Sequence, residues 1–146
     1  MTKDTIYRDI LMEHARKPKN TGRLENPELS AYVHNPLCGD ELELNLALSG
    51  ELIQDCKTIV RGCSICQASA SIMSEMIIKK TLKEAIETGR IFDENLRTDN
   101  EDFPNIVEPL RPFLVLKTHR SRIKCMKLAW DALEECAHHD KNQINT

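Results

Sequence analysis

The clearest pattern in the chain is an alternation from Glu41 to Leu48, where Leu42, Leu44, Leu46 and Leu48 are separated by Glu43, Asn45 and Ala47. A period of two places the four leucines on one face of a strand and leaves the other face to solvent. Ser49-Gly50 is a turn signal, and Leu52 to Val60 predicts an antiparallel return strand. Ala31 to His34 predicts a third strand, ended by Asn35-Pro36. Ahead of the sheet, Ile6, Ile10, Leu11 and His14 recur at helical spacing until Lys17-Pro18-Lys19-Asn20-Thr21-Gly22 breaks the pattern. A short N-terminal helix followed by a turn is expected.

Beyond Gly62 the period changes. Ile65, Ile72, Met73, Met76 and Ile77 fall on one face at helical spacing, with Ser69, Glu75 and Lys79 elsewhere, which predicts a helix of about four turns. Leu82, Ala85 and Ile86 predict a second short helix that stops at Gly89. Asp93 to Glu108 is acidic, carries Pro104 and precedes Pro109, and is expected to be an ordered loop or a short surface helix. From Ser121 a final helix aligns Met126, Trp130, Leu133 and Ala137 in one stripe, with Cys125, Ala129, Ala132 and Cys136 beside it. The polar tail, 140–146, is expected to fray. Strands first and helices afterwards predict an α+β fold: a small three-stranded antiparallel sheet with helices packed on one face. A single domain over 1–146 is expected, without internal repeats.

Composition narrows the function. With 146 residues, 40% of them hydrophobic, the chain can build a core without disulfide staples. Twenty Lys and Arg against 23 Asp and Glu give a net charge of -3, so nucleic acid is not an expected partner. Apolar runs such as Phe113 to Leu116 are far shorter than the ~20 residues needed to span a bilayer. The opening Met1 to Asp9 carries acids where a signal peptide would be apolar. A soluble, cytoplasmic protein with no membrane partner is expected.

Six cysteines exceed what packing asks for, and a reducing compartment argues against disulfides. Cys38 lies in a turn, Asn35-Pro36-Leu37-Cys38-Gly39-Asp40, that can present a thiol outward. Cys63 lies at a strand-to-helix junction, and Cys125 stands near the start of the last helix beside Arg122, Lys124 and Lys127. Helix dipoles and cationic neighbours predict lowered pKa values for both. If the three thiols converge, Asp40 adds an oxygen to give a set suited to zinc, and soft thiolates equally suit an iron–sulfur cluster. Gaps of 25 residues (38 to 63) and 62 (63 to 125) match no zinc-finger spacing, so convergence does not follow from spacing.

Three ordered motifs carry a resemblance that spans nearly the whole chain. They are Asn35 to Asp40, Gly62-Cys63-Ser64-Ile65 running into Ala68-Ser69-Ala70-Ser71-Ile72-Met73, and Arg122-Ile123-Lys124-Cys125-Met126-Lys127-Leu128-Ala129-Trp130. With the opening Tyr7 to Gly22, including His14, Pro18 and Asn20, they closely resemble the IscU/NifU-like iron–sulfur cluster assembly proteins. The chain is more similar to the SufU-type branch. Lys124 stands where IscU proteins have histidine, their proline-rich chaperone-binding motif is missing, and Arg90 to Leu110 looks like the SufU insertion. Arg120, where related proteins often have proline, is a departure.

The resemblance implies that Cys38, Asp40, Cys63 and Cys125 surround one metal. For the SufU type it implies zinc and a zinc-dependent sulfurtransferase. Such a protein takes sulfane sulfur from a pyridoxal-phosphate cysteine desulfurase (SufS-like), with Cys38 as acceptor, and passes it to the downstream SUF assembly machinery. For the IscU type it implies a scaffold on which Cys38, Cys63 and Cys125 hold a nascent [2Fe-2S] cluster. Other readings remain beside it. Cys63 and Cys66 could form a dithiol redox pair, although an antiparallel meander is not its usual setting, or the metal could be purely structural. Cys66 is otherwise a small packed side chain, and Cys56 and Cys136 are expected as buried small hydrophobes. His14 is expected to pack or hydrogen-bond, and the His138-His139 pair to be solvated or adventitiously metal-binding rather than a site. His119 could approach the metal. Lys124 is a surface lysine or a partner for a bound anion.

Overall fold

The computed structural model describes residues 2–98 and 103–144. Three strands, β1 (Leu29–Asn35), β2 (Asp40–Ser49) and β3 (Leu52–Arg61), form an antiparallel sheet in the order β1-β2-β3. The leucine alternation sets the register. Leu42, Leu44 and Leu46 are fully buried and pair with Val33, Ala31 and Leu29 on one side and Val60, Thr58 and Cys56 on the other. The opposite face is polar, where Tyr32 donates to Glu41 and Arg23 pairs with Glu43 at 2.7 Å. Gly50, at φ 61, supplies the left-handed residue of the β2–β3 hairpin.

Helices cover the apolar face, giving the expected α+β arrangement: α1 (Lys3–Arg16), α2 (Ser64–Ile77), α3 (Leu82–Arg97) and α4 (Arg120–Ile144). The centre belongs to α2, which packs on α1, α4 and β3. Its burial is broader than the apolar stripe predicted, because Ser69, Ser71 and Ser74 are buried with Ile72, Met73 and Ile77. Small residues let neighbouring helices close on three sides, and each hydroxyl is satisfied. Ser69 donates to the Met126 carbonyl at 2.5 Å, Ser74 donates to the Ser71 carbonyl at 2.7 Å, and Ser71 bonds His14 Nδ1 at 2.7 Å.

Two expectations are corrected in the region after α2. Gly89 does not end a helix; α3 runs on to Arg97. A Cβ built on Gly89 would lie 2.8 Å from the Trp130 ring, so the glycine is there for close approach to α4. Asp93 accordingly sits on a helix, pairing with Arg97 at 3.0 Å and Lys127 at 3.1 Å. Of the ordered loop or short surface helix expected over 93–108, the part from 105 is helical, but Asn105–Leu116 is a run of 3-10 turns with one side buried. Pro109 and Pro112 prevent an α-helical ladder, while Val107, Leu110 and Phe113 are fully buried. Phe92 packs between Phe113 and Trp130 at ring-centroid distances of 5.9 and 6.4 Å. The expected insertion at 90–110 thus comprises the end of α3 and the start of the 3-10 segment, with 99–102 outside the described residues. Of the tail expected to fray, the helical backbone continues to Ile144 and 145–146 lie outside the described residues. His139 is not merely solvated: its Nδ1 donates to the Ser30 carbonyl on β1 at 2.9 Å.

Candidate metal centre

Local folding puts the site at the end of the sheet where β1 turns into β2. Asn35 and Asp40 are paired across that turn. The Asn35 side chain accepts from the Leu37 N–H at 3.0 Å, and the Asn35 carbonyl accepts from Gly39 at 2.8 Å. Gly39 meets this geometry at φ 77, which leaves Cys38 exposed at the tip. Asp40, the first residue of β2, lies beside the end of β3, since Glu41 pairs with Arg61. The chain then passes through Gly62 into Cys63, the N-cap of α2.

The Asp40 carboxylate is the hinge of the arrangement. It is 4% exposed, accepts the Cys63 N–H at 3.1 Å, and lies 3.5 Å from the Cys63 thiol. Gly62 makes this approach possible: a Cβ there would sit 2.6 Å from Asp40 Oδ1. From the other layer, α4 brings in Cys125, which is 2% exposed. The ligand atoms of Cys38, Asp40 and Cys125 all lie within 4.8 Å of one another. Cys63 is not one of these three; it is tied to the group through Asp40.

Electrostatics at the site run against the expected lowering at Cys125. Burial raises its thiol pKa, and the neighbouring Cys63 and Asp40 raise it further, so these outweigh the cations and the helix dipole. Cys66, fully buried directly below, is raised by burial and by Asp40, Cys63 and Cys38. Among the described residues Asp40 takes part in no ion pair. A buried carboxylate and crowded thiols without a compensating cation are costly, and a divalent metal removes that cost. The donor set fits one. A tetrahedron with Zn–S bonds of about 2.3 Å needs ligand separations of roughly 3.8 Å; Cys38, Asp40 and Cys125 already lie within 4.8 Å of one another, and Cys63 would join them from its place beside Asp40.

The other candidates lie elsewhere. Cys56 and Cys136 are fully buried, with thiols pushed up to about 12 chiefly by burial, which leaves them inert. His119 is exposed on the turn before α4 and is not in the cluster. Lys124 is exposed beside Cys125. Sequence reasoning missed the part played by Gly62; the only signal was its place immediately before Cys63.

The model of the NifU-like N-terminal domain family matches residues 6–145. The chain belongs to this family. It is 34% identical over 132 residues to the zinc-dependent sulfurtransferase SufU of Bacillus subtilis, covering 90% of this chain and 89% of that protein. It is 28% identical over 137 residues to the iron–sulfur cluster assembly scaffold protein IscU of Streptococcus pyogenes serotype M1, covering 94% and 86%. Among solved structures, the protein designated FiSufU, of the SUF system of thermophilic Fervidobacterium islandicum AW-1, aligns with a TM-score of 0.82 at 34% identity, covering 92% of this chain and 98% of that one. The family is one of iron–sulfur cluster assembly, and the sheet-and-helix arrangement described above is its fold. No helix among the described residues is long and apolar enough to cross a membrane.

Proposed function

We propose that this member of the family is a zinc-bound sulfur acceptor for iron–sulfur cluster assembly, taking persulfide sulfur from a pyridoxal-phosphate cysteine desulfurase in the cytoplasm and passing it to downstream SUF assembly proteins. The observation that carries the reading is the asymmetry of the cluster: Asp40 and Cys125 are buried and fixed by regular structure, whereas Cys38 is exposed on the β1–β2 turn. Similarity to SufU supports the choice of zinc. Bound zinc keeps thiolates deprotonated and protected from oxidation. Asp40, a hard oxygen donor among sulfurs, is the weakest-held member and favours release over retention.

The chemistry asked of Cys38 is thiol exchange. Its thiolate attacks the outer sulfur of the desulfurase persulfide. A new S–S bond forms on Cys38, the old one breaks, and the desulfurase cysteine leaves as a thiolate, so no external oxidant or reductant is needed. Cys38→Ala should abolish both stimulation of desulfurase turnover and sulfur-35 labelling of this chain from labelled cysteine. Undiminished turnover and labelling would remove Cys38 from the mechanism.

A second reading, favoured by the likeness to the IscU scaffold, is that the same side chains hold a [2Fe-2S] cluster during its assembly. Anaerobic purification with metal analysis separates the two. Zinc without visible absorption supports sulfur transfer, and iron with acid-labile sulfide supports scaffolding.

A further inference from the structure

A groove of about 900 Å³ opens between the end of α3, the turn at residues 117–119 and the start of α4. Its charged lining is Arg97, Lys117, Arg120, Lys124 and Lys127 against the single acid Asp93. It does not end there. Lys124 and Lys127, with Asp131 as the one acid, also border a smaller depression of about 240 Å³ that reaches His34, Asn35 and Pro36, the base of the turn carrying Cys38. A basic track therefore leads across the surface to the proposed sulfur acceptor, on a chain whose net charge is -3.

Among the described residues the groove's cations outnumber its acids. Asp93 is shared between Arg97 at 3.0 Å and Lys127 at 3.1 Å, and among the described residues Lys117, Arg120 and Lys124 enter no ion pair. A second observation concerns the helix that supplies part of this lining. The opening residues of α4 include Arg120, Arg122 and Lys124, and its first turn contains no acid. The N-terminal end of a helix already carries positive partial charge and favours acids, so nothing in the folding of α4 recommends this sequence. Among the described residues Asp93 is the one acid lining the groove, so the arrangement favours negative charge brought to it.

We infer that this groove docks an acidic segment of the protein that exchanges sulfur with Cys38, an inference that rests on the proposed function. The occupant fitted by the groove is an extended stretch of Asp and Glu side chains. Long Lys and Arg side chains on an open surface, exposed at Arg97, Arg120 and Lys124 and half-buried at Lys117 and Lys127, suit carboxylates along a peptide. They provide no enclosed, buried polar pocket for a small anion. Five cations on a chain of net negative charge fall short of the footprint that binds a nucleic acid backbone. Because the track ends at Asn35 and Pro36, a segment lying in it would hold its parent protein against the exposed thiol, acting mainly on encounter and register.

The test titrates the whole chain with the cysteine desulfurase of the same cell at several salt concentrations. Lys117→Glu with Arg120→Glu is compared with Lys3→Glu and Lys83→Glu, exposed positions with the same change in charge. The groove variant should bind the desulfurase at least tenfold more weakly at low salt, with a flatter salt dependence. Its sulfur loading at saturating desulfurase should match the parent, and the control should stay within twofold of the parent throughout. Equal affinities of the two double variants would overturn the inference. So would displacement of the desulfurase by millimolar inorganic phosphate, or binding of a DNA duplex that the groove variant abolishes. Thermal unfolding of each variant checks folding, and Lys117→Gln with Arg120→Gln replaces the reversal if that variant does not fold. If the parent chain binds the desulfurase but never accepts sulfur, the proposed function fails while the docking measurement stands.

Discussion

Two glycines shape this protein by what they leave out. At Gly62 the space for a side chain is taken by Asp40, whose carboxylate would lie 2.6 Å from a Cβ. Gly62→Ala should push Asp40 off the Cys63 N–H and weaken metal binding by roughly tenfold or more, the usual scale for disturbing a group that orients a ligand; competition against a zinc chelator measures it. At Gly89 the occupied space belongs to Trp130, 2.8 Å away. Alanine there gains up to ~1 kcal/mol of helix propensity, but forcing a methyl into a filled core costs about 1–3 kcal/mol. Gly89→Ala should therefore lower the urea midpoint, and a variant as stable as the parent would show that α3 and α4 are not in tight contact. Neither role was readable along the chain. A glycine beside a cysteine looks like a junction and a glycine after a helical pattern looks like a stop, because the atoms that exclude a side chain lie 22 and 41 residues away.

The elements differ in how openly they announce themselves. The sheet was legible because Leu42, Leu44 and Leu46 of β2 fill one face, although Asn45 is buried on the other and Leu48, past a register irregularity at Ala47/Leu48, is only half-buried. The central helix was legible as a helix but not as a buried one, since Ser69, Ser71 and Ser74 read as polar until their partners in α4 and in the α1–turn segment are known. That segment also holds a pH-sensitive clasp. Ser71 Oγ accepts the Lys19 N–H at 2.8 Å and so can give its own proton to His14 Nδ1, fixing a neutral imidazole. Burial lowers the His14 pKa, Lys19 adds to the effect, and Glu75 and Glu13 oppose it. The folded state thus binds this proton less tightly than the unfolded state, where the value is near 6.5. The clasp contributes fully above pH 6.5 and is lost as pH falls through the lower folded value. The denaturant midpoint should fall from pH 7 to pH 5 more steeply in the parent than in His14→Asn. Parallel curves would mean that His14 does not link α1 to pH.

For the molecule as a whole, folding matters because it brings residues 38, 40 and 125 together, with 63 beside residue 40. The β1–β2 turn supplies the first two, the β3-to-α2 junction the third, and α4, returning across the sheet, the fourth. Their chemistry was visible in the sequence as cysteines at turns and helix starts. Their meeting was not, since it depends on how α4 packs, and only the family resemblance pointed to it. The core reaches far beyond the site: Leu44, Phe92, Phe113 and Leu133 are fully buried in the same cluster that holds Cys125. Chelation should therefore lower the thermal midpoint by several degrees while leaving the chain folded, by loss of a ligand that binds only the native state. Unfolding on chelation, followed by circular dichroism, would instead indicate a purely structural metal. The central claim is that three sulfurs and one carboxylate oxygen hold a single ion. X-ray absorption at the zinc edge of anaerobically purified protein tests it most directly. One zinc per chain with three sulfurs at about 2.3 Å and one lighter donor is the predicted result, and a shell of nitrogen and oxygen alone, or no stoichiometric metal, would contradict it.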